Sequence, residues 1–191
     1  MLPKPQLLIV GHGRIAETLA ALGRLMNFAV IVDDPGGGQG AFPDADRVFT
    51  DDYDLSQPVI DGQTYIVIAT QHKQDHRWLE RALASPTPYI ALIASRFRAG
   101  LVLDYLAESG VPREKLARVS APAGLDIGAA SPEEIASAEP AAASRDCWSR
   151  MRRILAFRFA AVLRVRRWIR RRPRYPVRHN HADRLDHTFS P

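Results

Sequence analysis

A glycine-rich turn near the start of the chain is the first group of residues that can do chemistry. The residues Gly11-His12-Gly13-Arg14-Ile15-Ala16 match the pattern G-x-G-x-x-G/A. In this pattern the first glycine makes a tight turn, the second lets the backbone approach a phosphate, and the small last residue lets the helix pack closely. Amides at the helix start then bind anionic oxygen. We expect cofactor contacts from Gly11, His12, Gly13, Arg14 and Ile15, with a purely structural turn as the alternative.

Two adjacent carboxylates, Asp33 and Asp34, follow 22 and 23 residues after Gly11. In a nucleotide-binding βαβ unit, an acidic residue about 20 residues beyond the glycines ends the second strand and accepts hydrogen bonds from ribose hydroxyls. We therefore predict that Asp33 and Asp34 belong to the same cofactor-binding site.

Polar residues also follow two later apolar runs, which cover 65–69 and 89–93. Side chains at the ends of such strands are placed to meet a ligand, and the Arg96 guanidinium suits a phosphate. The alternatives are helix starts capped by Thr70 and Ser95, and a solvated Arg96. The further cofactor-binding candidates are Thr70, Gln71, His72, Ser95 and Arg96.

A loose group of histidines is the only hint of a metal site in the sequence. His72 and His76 are four residues apart beside Asp75, and His12 can face them from the glycine-rich turn. No further ligand stands at a fixed spacing, and solvated loop histidines are commoner. The sequence also places no acid–base partner beside His12 or His72. We therefore expect no metal site and no catalytic residue.

The elements that must position these residues alternate between strand and helix. Strands are predicted at 7–10, 28–32, 47–49, 65–69 and 89–93, and helices at 14–26, 73–84 and 96–109. Apolar strands alternating with amphipathic helices predict a Rossmann-like α/β fold, with a parallel sheet covered by helices on both faces. We expect the strand order 3-2-1-4-5, in which a ligand crevice opens between the loops after Val10 and Ala69.

A further motif follows a possible last strand at 117–121. Gly124-Leu125-Asp126-Ile127-Gly128 carries two glycines, which suit close backbone packing or positive φ, so a structural role is favoured over a catalytic one for Asp126. Ser131-Pro132-Glu133-Glu134 then begins a helix with a cap, a proline in the first turn and a reciprocal glutamate.

Charge divides the chain into two parts. Residues 1–149 hold 13 basic and 19 acidic side chains, whereas 150–191 hold 13 arginines, no lysine and 2 acidic side chains. We predict one domain at 1–137 and an arginine-rich tail at 138–191, which is poorly ordered, a basic amphipathic helix, or a terminus read out of frame. Arg158 and Arg164 interrupt its apolar residues, so no membrane span is expected. The acidic body argues against nucleic acid as a partner.

The single cysteine, Cys147, cannot form an internal disulfide, which agrees with a reducing compartment. The first 25 residues have charged side chains and no long apolar stretch ending in small residues. We therefore expect a cytoplasmic protein without a signal peptide.

Several separated segments together resemble the Rossmann domain of the XdhC and CoxI proteins. These segments are Leu8-Ile9-Val10-Gly11-His12-Gly13, Val32-Asp33-Asp34-Pro35, Phe42-Pro43-Asp44-Ala45-Asp46, Ile68-Ala69-Thr70-Gln71-His72, Ala94-Ser95-Arg96, Pro122-Ala123-Gly124-Leu125-Asp126-Ile127-Gly128-Ala129 and Pro132-Glu133-Glu134-Ile135-Ala136. The resemblance covers about 130 residues, and its most specific part is Gly-Leu-Asp-Ile-Gly-Ala.

The resemblance implies an accessory protein that binds the pterin-based molybdenum cofactor and delivers it to a xanthine dehydrogenase or carbon monoxide dehydrogenase type enzyme. Its expected partners are the apoenzyme of such a molybdenum hydroxylase and a separate protein that supplies the family's N-terminal domain; a homodimer is left open. The alternative is an NAD(P)-dependent oxidoreductase that uses the same Rossmann site. We favour binding over catalysis because no substrate domain is evident after residue 137.

Overall fold

The structure, a computed structural model, describes residues 4–35, 37–53, 56–70, 74–126 and 128–139. Six strands lie in these residues: β1 (Gln6–Gly11), β2 (Ala29–Asp33), β3 (Arg47–Phe49), β4 (Thr64–Ala69), β5 (Tyr89–Leu92) and β6 (Val119–Ser120). The helices are α1 (Gly13–Leu25), α2 (Asp75–Ala84), α3 (Arg96–Glu108), α4 (Arg113–Leu116) and α5 (Pro132–Ala138), with a 3-10 helix at Gln39–Ala41.

The strands form one parallel sheet in the order β3-β2-β1-β4-β5-β6. The predicted fold class and the predicted order of the first five strands are therefore confirmed. The sheet also has a sixth strand, β6, within the possible strand at 117–121. Only two residues of β6 pair with β5. Because the strand is so short, it has no apolar run from which its position in the strand order could be predicted.

The alternating side chains of the strands fill two apolar layers, one on each face of the sheet. Leu7 and Ile9 of β1 face α1, where Leu19 is buried. Leu8 and its neighbours face the opposite layer, formed with α2 and α3, in which Leu106 is fully buried. Burying one such aliphatic side chain contributes about 1.5 to 3 kcal/mol. This two-sided core holds the carboxyl ends of all the strands at one edge of the sheet.

The first crossover shows why the chain forms these elements. Helix α1 buries Ala16, Leu19, Ala20 and Gly23 against the sheet. It ends because Asn27 adopts a positive φ of 64°, a conformation that stops helices and that asparagine tolerates. In its described residues, the crossover from β2 to β3 contains a three-residue 3-10 helix and no α-helix, as expected from the glycines at 36–38. No described helix is long and apolar enough to cross a membrane.

The predicted boundary between domain and tail lies at residues 137 and 138. Helix α5 extends to Ala138, and Glu139 after it is buried. The tail from residue 140 onward lies outside the described residues, so its extent and the two readings of it stay predictions.

Candidate functional site

The glycine-rich turn joins β1 to α1 at the carboxyl edge of the sheet. Gly11 has a φ of +127°, and a Cβ at this position would overlap with the carbonyl oxygen of Ala69. Gly13 begins α1 with a φ of +80°. Ala16 is fully buried, as close packing of helix on strand requires. The glycine at position 11 is thus needed for the contact between the ends of β1 and β4.

A small crevice opens beside this turn, between the ends of β1, β2 and β4. Its volume is about 180 Å³. Its lining residues are Val10, Gly11, His12, Asp34, Pro35, Tyr53, Thr70, Gln74 and Trp78. Ligand pockets for whole cofactors usually measure about 300 to 1,000 Å³, so the crevice has room for part of such a ligand.

His12 and Asp34 face each other across the crevice. The Nδ1 atom of His12 lies 3.6 Å from Oδ1 of Asp34, and the Asp34 side chain is nearly buried. His12 is the N-cap of α1 but makes no side-chain capping hydrogen bond. The expectation that His12 has no acid–base partner is therefore corrected, because β2 brings a carboxylate to it that lies 22 residues away in the sequence.

The two predicted carboxylates lie in different environments. Successive side chains of a strand point to opposite sides. Asp33 is the last residue of β2 and is fully buried, whereas Asp34 lines the crevice. The structure thus offers Asp34, and not Asp33, to a ligand in the crevice.

Asp33 lies close to a second buried carboxylate, Asp52. Burial of Asp33 is the main cause that raises its pKa from 3.8 to about 8, and the negative charges of Asp52 and then Asp34 add to this. Asp52 accepts hydrogen bonds from the amides of Ser56 and Gln57, at 2.8 and 2.9 Å. Asp33 is consequently protonated at neutral pH.

Thr70 follows β4 and is buried next to α2. Its hydroxyl donates a hydrogen bond to Asp75, whose other oxygen lies 3.4 Å from Nη2 of Arg98. The reading of Thr70 as a helix cap is wrong, since the N-cap of α2 is Gln74, with a φ of +60°. Thr70 instead ties the end of β4 to the first turn of α2 and forms one wall of the crevice.

Arg14 and Ile15 take part in packing between elements. The Nε atom of Arg14 donates to Oε1 of Glu133 in α5 at 2.7 Å, and Nη1 lies 3.3 Å from Oε2 of Glu17. These contacts raise the pKa of Arg14 and lower that of Glu133. Ile15 packs against the core beneath α1. A ligand at the turn can meet the backbone of these residues more readily than their side chains.

Ser95 and Arg96 lie beside a second and larger cavity. Ser95 caps α3, because its hydroxyl accepts a hydrogen bond from the amide of Arg98 at 3.2 Å. The cavity measures about 590 Å³, which is within the usual range for a ligand site. Its lining residues are Ile93, Ala94, Ser95, Arg96, Pro122, Ala123, Gly124, Leu125, Asp126, Gly128, Ala129, Ile135 and Ala138.

The far wall of this cavity comes from the Gly-Leu-Asp-Ile-Gly-Ala motif and α5. Gly124 has a φ of +90°, and a Cβ there would lie 3.0 Å from the carbonyl carbon of Ala138. The amide of Leu125 donates to the carbonyl oxygen of Ala138 at 3.1 Å. The structure thus gives Gly124 the packing role expected from the sequence. Helix α5 begins with the predicted capping box between Ser131 and Glu134.

Asp126 lines the larger cavity and is not among the cofactor-binding residues predicted from the sequence. Its Oδ2 lies 3.5 Å from Nη2 of Arg96, and both side chains are more than four-fifths exposed. The available signal is its position between two glycines, Gly124 and Gly128, which also line the cavity. Gln71 and His72 lie outside the described residues, and their assignment stays a prediction.

Of the loose histidine cluster, the structure describes His12, His76 and Asp75 but not His72. His76 packs edge-on against Tyr105, with ring centroids 5.2 Å apart, and Asp75 is bound by Thr70 and Arg98. No group of three or more candidate metal ligands occurs among the described residues.

Comparison with known proteins places these features in a family. The profile of the XdhC Rossmann domain matches residues 7–140. YqeB of Escherichia coli K12, described as an uncharacterized protein, is 30% identical over 139 residues, which are 70% of this chain and 26% of YqeB. The chain therefore spans about a quarter of the length of this curated relative.

A solved structure is similar as well. The crystal structure of a xanthine dehydrogenase from Bacillus halodurans matches with a TM-score of 0.61 and 29% identity. The match covers 71% of this chain and 40% of the other.

Proposed function

The chain belongs to the XdhC Rossmann domain family, and from this membership we propose that it binds a pterin-based molybdenum cofactor. In this proposal it is an accessory protein that passes the cofactor to a xanthine dehydrogenase or carbon monoxide dehydrogenase type enzyme. The chain aligns with about two-fifths of the xanthine dehydrogenase structure and a quarter of YqeB, so the delivery step is part of the proposal.

The observation that carries the proposal is the pair of cavities at the carboxyl edge of the sheet. Parallel α/β sheets bind ligands outside this edge. The larger cavity, of about 590 Å³, is lined by residues of the family's own motifs. Its lining combines apolar side chains with a cation, a hydroxyl and a carboxylate, which suits a ligand that has both a ring system and a phosphate. The crevice at Gly11 and Thr70 can hold a smaller polar part of a ligand.

A second candidate function follows from the contact between His12 and Asp34. A carboxylate beside an imidazole can orient it for proton transfer, as an NAD(P)-dependent oxidoreductase needs. The crevice around this pair is small, at about 180 Å³, and Asp34 also stands where a ribose diol is bound in Rossmann domains. We therefore favour ligand binding over turnover for this pair.

Reconstitution separates the two functions. The full chain, loaded with molybdenum cofactor, is added to a cofactor-free molybdenum hydroxylase, and hydroxylase activity is measured with and without a protein supplying the family's N-terminal domain. We expect activity to rise in at least one of these mixtures, and the isolated chain to consume no NAD(P)H with small carbonyl substrates. Steady NAD(P)H consumption that is lost in His12→Ala would instead support the oxidoreductase.

A further inference from the structure

The outer face of α3 is apolar although it lies on the protein surface. Phe97, Leu101 and Tyr105 are spaced four residues apart, so they lie along one side of the helix. These three residues are 78%, 50% and 51% exposed. The opposite side of α3 is also apolar and is buried in the core. A helix that is apolar on all sides is usually buried, so we expect another surface to cover this outer face.

Two further features suit this face to a helix as its partner. Gly100 lies in the middle of α3 on the exposed side, and no described atom lies within 4 Å of a Cβ placed there. Glycine weakens a helix interior relative to alanine, but it lets a second backbone approach closely. The Tyr105 ring packs edge-on against His76 of α2, with the ring centroids 5.2 Å apart. This ordered ring would lose little conformational freedom on association.

The charges of α3 complement a second copy of the same helix. Arg96 begins the helix, and the first turn contains no acidic residue. Asp104 and Glu108 lie near its end, and the last turn contains no basic residue. The helix dipole favours the reverse arrangement. A second α3 that lies antiparallel supplies it, because its carboxylates come beside the first turn and its guanidinium beside the last.

We propose that the chain forms a homodimer in which the outer faces of two α3 helices pack antiparallel about a two-fold axis. Both copies use the same patch in such an interface, so each contact occurs twice. Leu101 packs against Leu101 of the second copy at the axis, and Phe97 packs against Tyr105. At the ends of the helix pair, Arg96 of each copy lies near Asp104 of the other.

The dimer changes the surroundings of the larger cavity. Ser95 and Arg96, at the start of α3, line that cavity. Within one copy, Arg96 lies 3.5 Å from Asp126, and both side chains are exposed. An ion pair so exposed contributes little to stability, so Arg96 can exchange Asp126 for Asp104 of the second copy. Each cavity of the dimer is then bordered by both copies.

Sedimentation velocity of the full chain over a concentration series tests the proposal. We expect a reversible equilibrium between monomer and dimer. Leu101→Asp should raise the dissociation constant at least about tenfold, because it places a charge at the centre of the contact. Leu25→Asp is the matched control and should leave the constant unchanged, since Leu25 is 55% exposed and lies on α1, on the opposite face of the sheet. Thermal unfolding confirms that both variants are folded.

A charge exchange tests the antiparallel orientation. Arg96→Glu and Asp104→Arg should each weaken the dimer, since each places like charges opposite one another. The double variant should restore the dissociation constant to within about threefold of the wild type, because the two positions interact directly.

Three results would overturn the proposal. A wild type that stays monomeric at every concentration would leave the outer face of α3 to the tail or to a different protein. A dimer that withstands Leu101→Asp would use another surface. A double charge variant that is no stronger than the single variants would exclude the antiparallel pairing.

Discussion

Arg14 and Glu133 form a hydrogen-bonded ion pair that joins the first and last described helices across 119 positions of the sequence. The distance from Nε to Oε1 is 2.7 Å. Arg14 lies in α1, which follows the glycine-rich turn, and Glu133 lies in α5, which forms one wall of the larger cavity. The two candidate ligand sites are therefore connected through the packing of α1 on α5.

Glu133→Gln should lower the melting temperature slightly at neutral pH, by at most about 3 °C, because the pair is exposed to solvent. The pKa of Glu133 is lowered by Arg14, so the pair stabilises the fold above the ordinary pKa of a glutamate and is lost as pH falls. The difference from wild type should vanish in acid. Glu80→Gln, at an exposed position on α2, serves as the control. An equal effect of both substitutions would contradict a specific role for the pair.

Gly11→Ala should destabilise the domain by about 2 kcal/mol or more, since it combines a positive φ with overlap against the backbone of Ala69. Gly62→Ala is the matched control, because nothing lies within 4 Å of a Cβ at that position. Chemical denaturation of both variants measures the difference. Similar free energies of unfolding would show that the ends of β1 and β4 do not constrain each other.

Asp33→Asn should become progressively more stabilising as pH rises. The folded-state pKa of Asp33 is about 8 against an ordinary value of 3.8, so the folded protein binds more protons between these values. The stability that Asp33 contributes to the wild type is fully present below about pH 4 and is lost as pH rises through about 8. The variant has no proton to lose, so its advantage should grow by on the order of 1 kcal/mol between pH 6 and pH 8. Melting temperatures across this range, with Glu80→Gln as control, measure it; a constant difference would contradict the raised pKa.

Thr70→Val and Thr70→Ser separate the packing role of Thr70 from its hydrogen bond to Asp75. Valine keeps the volume but leaves a buried carboxylate with one donor fewer, at a cost of about 1 to 3 kcal/mol. Serine keeps the hydroxyl and removes one methyl group. We expect the valine variant to unfold at lower denaturant concentration than the serine variant, and the reverse order would show that packing dominates at this position.

The sheet was predictable because most of its strands are continuous apolar runs, and such runs indicate strands that are buried on both faces. Leu8 and Ile66 are fully buried, as runs flanked by glycine and polar residues indicate. The two residues of β6 give no such signal, since their pairing with β5 depends on a neighbour 29 positions away, as between Ile90 and Val119.

The sequence predicted where the candidate site residues lie in the fold, but not which residues they contact. The turn at Gly11 and the cap at Ser95 are local features, so their sequence patterns were sufficient. The contacts of Arg14 with Glu133, His12 with Asp34 and Arg96 with Asp126 join distant segments, and only the folded chain brings them together. For the same reason, the sequence did not distinguish Asp33, which is fully buried, from Asp34, which lines the crevice.

Helix α5 holds its place with little apolar surface, because its two buried side chains are alanines, Ala136 and Ala138. A helix of seven residues has little stability of its own, so its packing on α1, the pair of Arg14 with Glu133 and the contact at Gly124 carry much of its attachment. The amide hydrogens of α5 should consequently exchange with solvent deuterium faster than those of β1 and β4, through local opening and not global unfolding. One wall of the larger cavity would then open with a free energy well below that of the sheet beneath it.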